Sequence, residues 1–144
     1  MRKTVTTLAL VGVFAVPSAN AWAALAKSTA KSKVTVAWYT GTPAPCGPSN
    51  KWGDLQIKIK VQKTTTTVGT KKKVAIKILA VEFPVKSDHT FKTKYITDQA
   101  LPILTDELLE IQSPNVETIS GATDTTISFK KTLNAALLQA KKPT

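Results

Sequence analysis

The chain has 144 residues, and its 20 lysines and arginines against nine acidic residues give a formal charge of +11. Arg2 is the only arginine, so the bidentate contacts to guanine and phosphate that arginine makes are missing from the rest of the chain. No aromatic-rich strand motif for base stacking is present either, and the composition therefore argues against nucleic-acid binding. The lone Cys46 excludes an internal disulfide and is interpreted as an incidental thiol in a loop.

The N-terminus has the pattern of an export signal. Arg2 and Lys3 precede an apolar run over residues 8–16, and residues 17–21 end in a small-x-small cleavage pattern. We predict a signal peptide over residues 1–21, with cleavage after Ala21 or, as the alternative, after Ala23. The apolar run is short for a bilayer span. The signal peptide is followed by a flexible lead over residues 22–33 and by one domain over residues 34–142. We therefore expect a protein that is exported to the extracellular or periplasmic side of the cell envelope.

The first half of the domain is predicted to form strands. Residues 34–39 alternate as a strand does, and residues 40–51 form a Gly- and Pro-rich loop. Residues 55–61 alternate apolar and polar side chains, which predicts a strand with one dry and one wet face. Residues 63–73, which include four successive threonines and Lys71 to Lys73, are interpreted as a long, solvated hairpin connection. The returning strand, residues 74–83, is apolar on both faces in its second half, which predicts a covered, central position.

The second half is predicted to be mainly helical. After a linker over residues 84–93, helical spacing runs from Tyr95 to Ile111, with a break or kink expected near Leu101 because Pro102 follows it. Residues 116–119 are predicted as a short strand before the last helix. The fold class is α+β, a single domain with a twisted antiparallel sheet and helices packed mainly on one face. The predicted inner stripes are Ile96, Ala100, Ile103, Leu104 and Leu108, then Ile127, Phe129, Leu133, Ala136, Leu137 and Ala140.

A glycine turn opens the last helix. The residues are Ser120-Gly121-Ala122-Thr123, and the helical apolar spacing begins directly after them. Unpaired backbone N–H groups at a helix N-terminus, together with the helix dipole, favour an anion such as phosphate. The alternative is a plain capping turn, in which Ser and Thr oxygens bond to N–H groups of the first turn.

The residues around this turn extend the pattern. Four segments lead into the turn: residues 99–104, Glu107-Leu108-Leu109, Gln112-Ser113 and residues 116–119. Two shorter segments, Tyr39-Thr40-Gly41 and Trp52-Gly53, open or close the strand-like runs. In this order they resemble the FMN-binding domain family, which also occurs in the flavin-carrying subunits of sodium-pumping quinone reductases and ferredoxin:NAD oxidoreductase complexes. The resemblance covers about residues 34–142.

The resemblance implies a set of cofactor-binding residues. FMN would be held at Ser120, Gly121, Ala122 and Thr123, with a phosphoester bond to the Thr123 hydroxyl. Glu117 stands where flavinylated members usually have Asp. Thr125 and Thr126 would donate hydroxyls to the phosphate or simply cap the helix. Trp52, ahead of Trp38 and Tyr39, is the candidate to cover the flavin ring, the alternative being ordinary packing. Asp124 is expected to turn away from the pocket, as a first-turn acid favoured by the helix dipole.

The function implied is an exported electron carrier and not a stand-alone enzyme. A flavin transferase that uses FAD and magnesium would attach the FMN, and membrane redox proteins would be the partners. Scattered lysines favour adhesion to an anionic cell envelope. The alternatives are non-covalent flavin binding and a basic secreted binding or adhesion module of the same fold. No metal site is expected, since His89 is a lone histidine, interpreted as a surface-loop residue.

Overall fold

The computed structural model describes residues 30–88 and 90–142. The predicted signal peptide, its cleavage sites, most of the flexible lead and His89 lie outside the described residues. The elements in chain order are β1 (Lys31–Thr40), β2 (Ala44–Pro45), a short 3-10 turn at Pro48–Asn50, β3 (Asp54–Val68), β4 (Lys71–Val85), α1 (Phe91–Ile111) and α2 (Thr123–Lys141). β1 begins at Lys31, three residues before the predicted start of the domain.

The fold class is confirmed: a four-stranded antiparallel sheet carries two helices on one face in a single α+β domain. β3 is the central strand, because β1 and β4 both pair along its length. Its odd-numbered residues from Leu55 to Val61 are fully buried and its even-numbered neighbours are partly exposed. The predicted alternation of a dry and a wet face is therefore present.

The hairpin between β3 and β4 corrects the prediction of a long loop. The two strands stay paired as far as Val68 and Lys71, so only Gly69 and Thr70 form the turn. Gly69 has φ of 59°, as a two-residue hairpin turn requires. The four threonines extend β3, because a β-branched side chain suits a pleated strand better than a loop.

The position of β4 was also predicted wrongly. β4 pairs with β3 alone among the described residues, so it is an edge strand. Leu79 is 39% exposed because a register shift beside it interrupts the alternation. Ile78 is buried against the helices, and Ile76, Val81 and Phe83 are partly buried there. A run of apolar residues thus reflects an irregular edge strand here and not a strand covered on both faces.

The core lies between the inner face of the sheet and the two helices. α2 lies along β3, and its Phe129, Leu133, Ala136 and Ala140 are completely buried. Thr132 of α2 accepts a hydrogen bond from the backbone N–H of Ile57 at 3.2 Å. A Cβ on Gly41 would lie 2.0 Å from the Thr132 carbonyl oxygen, so glycine is what allows the end of β1 to approach α2.

Three expectations for the helical half are wrong. α1 runs through Pro102 without a break, and the proline ring is exposed, where it does not obstruct packing. Residues 116–119 form no strand and pair with none in the described chain, although Val116 is buried. Ile103 and Ile127 are each 56% exposed, while threonines at 93, 97, 126 and 132 take inward positions. A threonine hydroxyl can form hydrogen bonds inside the helical layer, so the polarity of these side chains does not prevent their burial.

Neither α1 nor α2 has an apolar stretch long enough to cross a lipid bilayer, and the same holds for every helix within the described residues.

Candidate functional site

The two long helices differ at their N-termini. Thr90 caps α1 by a reciprocal capping box with Thr93, so the first turn of α1 has side-chain acceptors. The residue before α2 is Ala122, which has no side chain able to accept a hydrogen bond. The first hydrogen bond of α2 runs from the Thr126 N–H to the Ala122 carbonyl, at 2.9 Å. The N–H groups of residues 123–125 are therefore left without a side-chain cap, which is the arrangement that attracts an anion.

A cavity of about 340 Å³ lies at this helix end. It is bounded by the first turns of both helices, by the turn before α2 and by two loop residues. A second cavity, of about 230 Å³, adjoins it on the other side of the same turn and shares Ile96, Gly121 and Ala122 with it. The lining of the first cavity comprises Trp52, Ser87, Lys92, Thr93, Ile96, Thr97 and residues 121–125.

The structure brings most of the predicted turn residues to these cavities. Thr123 is exposed and lines the first cavity, as the first residue of α2. Gly121 has φ of 80°, a left-handed conformation that glycine adopts without strain, and no atom lies within 4 Å of where a Cβ would stand. Ala122 is buried beneath the turn, and Ser120 is exposed and lines only the second cavity.

The two threonines that follow have different surroundings. Thr125 is buried and contributes to the lining of the first cavity. Thr126 lies beneath the turn, where its hydroxyl donates to the Ala122 carbonyl at 3.0 Å and accepts from the Ile119 N–H at 3.3 Å. Its hydroxyl therefore fixes the approach of the chain to α2, and it does not line either cavity.

Trp52 lies on the cavity wall, and three contacts hold it there. Its indole N–H donates to the Asp124 carboxylate at 3.2 Å, and its backbone carbonyl accepts from the Ser87 hydroxyl. A Cβ on Gly47 would lie 2.3 Å from the Trp52 ring, so the loop packs closely against the indole. The expectation that Asp124 turns away from the pocket is wrong, because its bond to the Trp52 indole keeps it in the lining.

Glu117 is exposed and lies outside both linings; its backbone N–H donates to the Glu107 carboxylate at 2.6 Å. Five lining residues were not predicted as site residues from the sequence: Ser87, Lys92, Thr93, Ile96 and Thr97. They belong to the end of the β4–α1 linker and to the first turns of α1, and no local motif marks them. The helical period of residues 93 and 97 is the one signal that places both on the same side of α1.

Cys46 lies behind the cavity wall and is 1% exposed. Burial raises the pKa of its thiol, Ser128 and Ser87 oppose this through hydrogen bonds, and the carboxylates of Asp124 and Asp54 add to the rise. The thiol is therefore protonated at neutral pH and is a weak nucleophile.

The first cavity offers a defined combination of groups. It combines the exposed Thr123 and the uncapped N–H groups with Lys92, with the Asp124 carboxylate bonded to the Trp52 indole, and with apolar walls from Ile96, Ala122 and Trp52. Its volume falls in the range of small-molecule pockets, about 300–1,000 Å³. Among the described residues no cluster of three His, Cys, Asp or Glu side chains is suited to hold a metal ion. The site therefore suits an organic phosphate with an apolar body.

Compared with models of known protein families and with curated protein sequences, the chain shows no match.

Proposed function

We propose that this protein is an exported electron carrier that holds one FMN by its phosphate at the turn before α2, covalently through Thr123. The observation that carries the proposal is the position of Thr123: the residue is exposed, it is the first residue of a helix without a side-chain cap, and it borders a cavity of about 340 Å³. The resemblance of residues 34–142 to the FMN-binding domain family supports the same assignment.

The residues of the cavity fit the chemical parts of FMN. The N–H groups at the start of α2 and the dipole of that helix would hold the phosphate, and Gly121 lets the backbone approach it. Lys92 would add a positive charge, while Ile96 and the Trp52 indole would face apolar parts of the flavin. When bound, the flavin supplies one-electron and two-electron redox chemistry, and the protein supplies position and surroundings.

Attachment would be catalysed by a separate flavin transferase with magnesium. The Thr123 hydroxyl loses its proton and forms a phosphoester bond to the FMN phosphorus of FAD. The bond between the two phosphates of FAD breaks at the same time, and AMP leaves. Thr123 meets the main requirement for this step, because its exposed hydroxyl is accessible to another protein. A covalent bond would also prevent loss of the cofactor by dilution outside the cell.

The test is the intact mass of the protein exported from cells that also express a flavin transferase. We expect the wild type to gain the mass of FMN less one water, and Thr123→Ala to remain unmodified. Thr118→Ala is the matched control, because Thr118 is also an exposed threonine near the turn but lies outside both cavities. Thr123→Ser, which keeps a hydroxyl, should retain some modification.

An unmodified, colourless wild type would contradict covalent attachment. Yellow protein of unmodified mass would instead support non-covalent FMN binding at the same cavity. A folded protein with neither the added mass nor the yellow colour would favour the basic secreted binding module.

A further inference from the structure

The sheet extends beyond the helices as a three-stranded ribbon. α2 ends where the Lys63 ammonium donates to the Lys142 carbonyl at 2.6 Å, and α1 ends where Gln112 bonds to the backbone of Ile78. Beyond that level β3 continues to Val68, paired with β1 on one side and β4 on the other. We call residues 31–34, 64–68 and 71–75 the distal ribbon. No described helix covers either of its faces.

The distal ribbon carries five lysines, which come from two separate segments of the sequence. Strand register places Lys31 and Lys72 on opposite sides of Thr67, and Lys73 in the same row as Thr66. All five are exposed, and neither ion pair between described residues, Lys58–Glu82 or Lys94–Asp98, involves them. The five are Lys31, Lys33, Lys71, Lys72 and Lys73.

No carboxylate lies near these lysines on the sheet. The chain contains no Asp or Glu before Asp54, and none between Asp54 and Glu82. Glu82 is paired opposite Lys58, six residues from Thr64, which is about 20 Å along the strand. α1 ends beside Ile78, so its acidic residues lie between Ile78 and the end of the molecule that holds the cavity. The distal ribbon therefore carries five lysines and no carboxylate.

We propose that the distal ribbon docks end-on to the surface of an anionic phospholipid bilayer. The Cα atoms of the five lysines lie within about 10 Å of one another along the strand direction, because these residues occupy four consecutive cross-strand rows from Lys71 to Lys33. An end-on approach brings all of them within about one Debye length of a planar surface. Lysine suits such a contact, because it acts as a compact point charge and needs no fixed bidentate geometry.

This orientation holds the Thr123 cavity away from the bilayer. α2 is about 28 Å long, and the distal ribbon adds about 17 Å beyond its C-terminal end. The cavity at the opposite end thus lies about 45 Å from the ribbon tip. The proposal does not depend on the identity of any cofactor.

The experiment is flotation of the exported protein with vesicles of phosphatidylglycerol and phosphatidylcholine in equal parts, with pure phosphatidylcholine vesicles as reference. We expect binding to the anionic vesicles alone, lost at high salt. The triple variant K71Q/K72Q/K73Q should bind at least about tenfold more weakly. The matched triple K86Q/K130Q/K131Q removes the same charge outside the ribbon and should change binding by less than about threefold. Equal losses in the two triples would overturn the proposal, because net charge alone would then account for binding.

Acetylation of lysines in the wild-type protein provides a test that needs no variant. Anionic vesicles should protect Lys71, Lys72 and Lys73, measured by peptide mass, and leave Lys130 and Lys131 modified. Uniform protection, or none, would contradict the assigned orientation. Binding to soluble polyphosphate but not to the vesicles would show that the ribbon binds a phosphate polymer, and the bilayer would then be wrong.

Discussion

Individual side chains around the α2 turn divide into those that build it and those that face the cavity. Thr126 builds the turn, since its hydroxyl accepts from the Ile119 N–H and donates to the Ala122 carbonyl, which also accepts from the Thr126 N–H. Thr123, three residues earlier, makes no such bond and is exposed. The neighbouring Asp124 is engaged by the Trp52 indole. Thr126 and Asp124 thus bond to other parts of the chain around the turn, whereas Thr123 takes part in neither set of bonds.

Cys46 gives the first prediction at this scale. Because burial raises the thiol pKa in the folded protein, the unfolded chain loses this proton first as the pH rises. The contribution of Cys46 to stability is therefore fully present below the unfolded pKa, about 8.5, and is lost as the pH rises through the folded value. We expect the difference in unfolding free energy between wild type and Cys46→Ala to shrink above about pH 8.5, as measured by urea denaturation.

Both proteins contain the same lysines and tyrosines. The titration of these residues therefore cancels in the difference between the two unfolding free energies. Alkylation provides the second readout: the folded protein should react with iodoacetamide far more slowly at pH 8 than the urea-unfolded chain. Equal reaction rates would show that the thiol is accessible, and the pH argument would then fail.

At the scale of elements, α1 shows how a helix tolerates an internal proline. Pro102 removes one backbone hydrogen bond, but its ring is exposed, and Leu101 and Leu104 beside it are buried. The packing of this apolar stripe against the sheet outweighs the local cost. An isolated peptide of this sequence would lack that compensation.

Pro102→Ala should therefore stabilise the protein. Proline costs about 3 kcal/mol relative to alanine inside a helix, offset by about 0.4–1 kcal/mol from its restriction of the unfolded chain. We expect a net gain of about 2 kcal/mol in the free energy of unfolding, measured by thermal and urea denaturation. Pro43→Ala, in an exposed loop, should instead lose a few tenths of a kcal/mol. A loss of stability in Pro102→Ala would mean that the proline ring makes contacts worth more than the missing hydrogen bond.

The same elements show what periodicity could predict. The alternation in β3 and the stripe from Phe129 to Ala140 were predicted correctly, because each element buries one face against a partner. β4 was misplaced, since apolar character on both faces does not reveal how many strands pair beside it. The long hairpin was missed because a polar, threonine-rich run has the composition of a loop but the backbone preference of a strand.

The cavity was predicted only in part, for a similar reason. The turn at Ser120 to Thr123 has a local signature, and the structure places its glycine and threonine as that signature requires. Ser87, Lys92 and Thr97 reach the cavity through tertiary packing, and no spacing in the sequence relates them to the turn. The motif in the sequence thus located the wall formed by the turn, whereas the other walls depend on how the chain folds.

At the scale of the molecule, the distal ribbon and the cavity lie at opposite ends of one sheet. The helical layer reaches only to Lys63, so the ribbon contributes little to the core. Excision of Thr66, Thr67, Lys72 and Lys73 removes two complete β3–β4 pairs and keeps the alternation of faces. We expect the free energy of unfolding to change by no more than about 1 kcal/mol.

The matched control excises two pairs inside the layer: Ile59 with Val81 and Lys60 with Ala80. Because Ile59 is completely buried, this variant should fail to fold, as monitored by circular dichroism and proteolysis. If the ribbon excision were equally damaging, the ribbon would belong to the folding core. Modification at Thr123 should survive the ribbon excision, since the two ends share no residue.

The two tryptophans of the described chain also stand apart. Trp38 lies on the outer face of the sheet beneath the Lys58 and Lys60 ammonium groups, 4.7 and 5.9 Å from its ring centre, whereas Trp52 borders the cavity. Each indole is therefore a natural optical reporter for a different part of the protein. A chromophore placed beside Trp52 would quench its emission strongly, whereas Trp38 would respond to events on the open face of the sheet. The difference in fluorescence between the wild type and Trp52→Phe isolates the emission of Trp52, because both proteins contain the other tryptophans, Trp22 and Trp38.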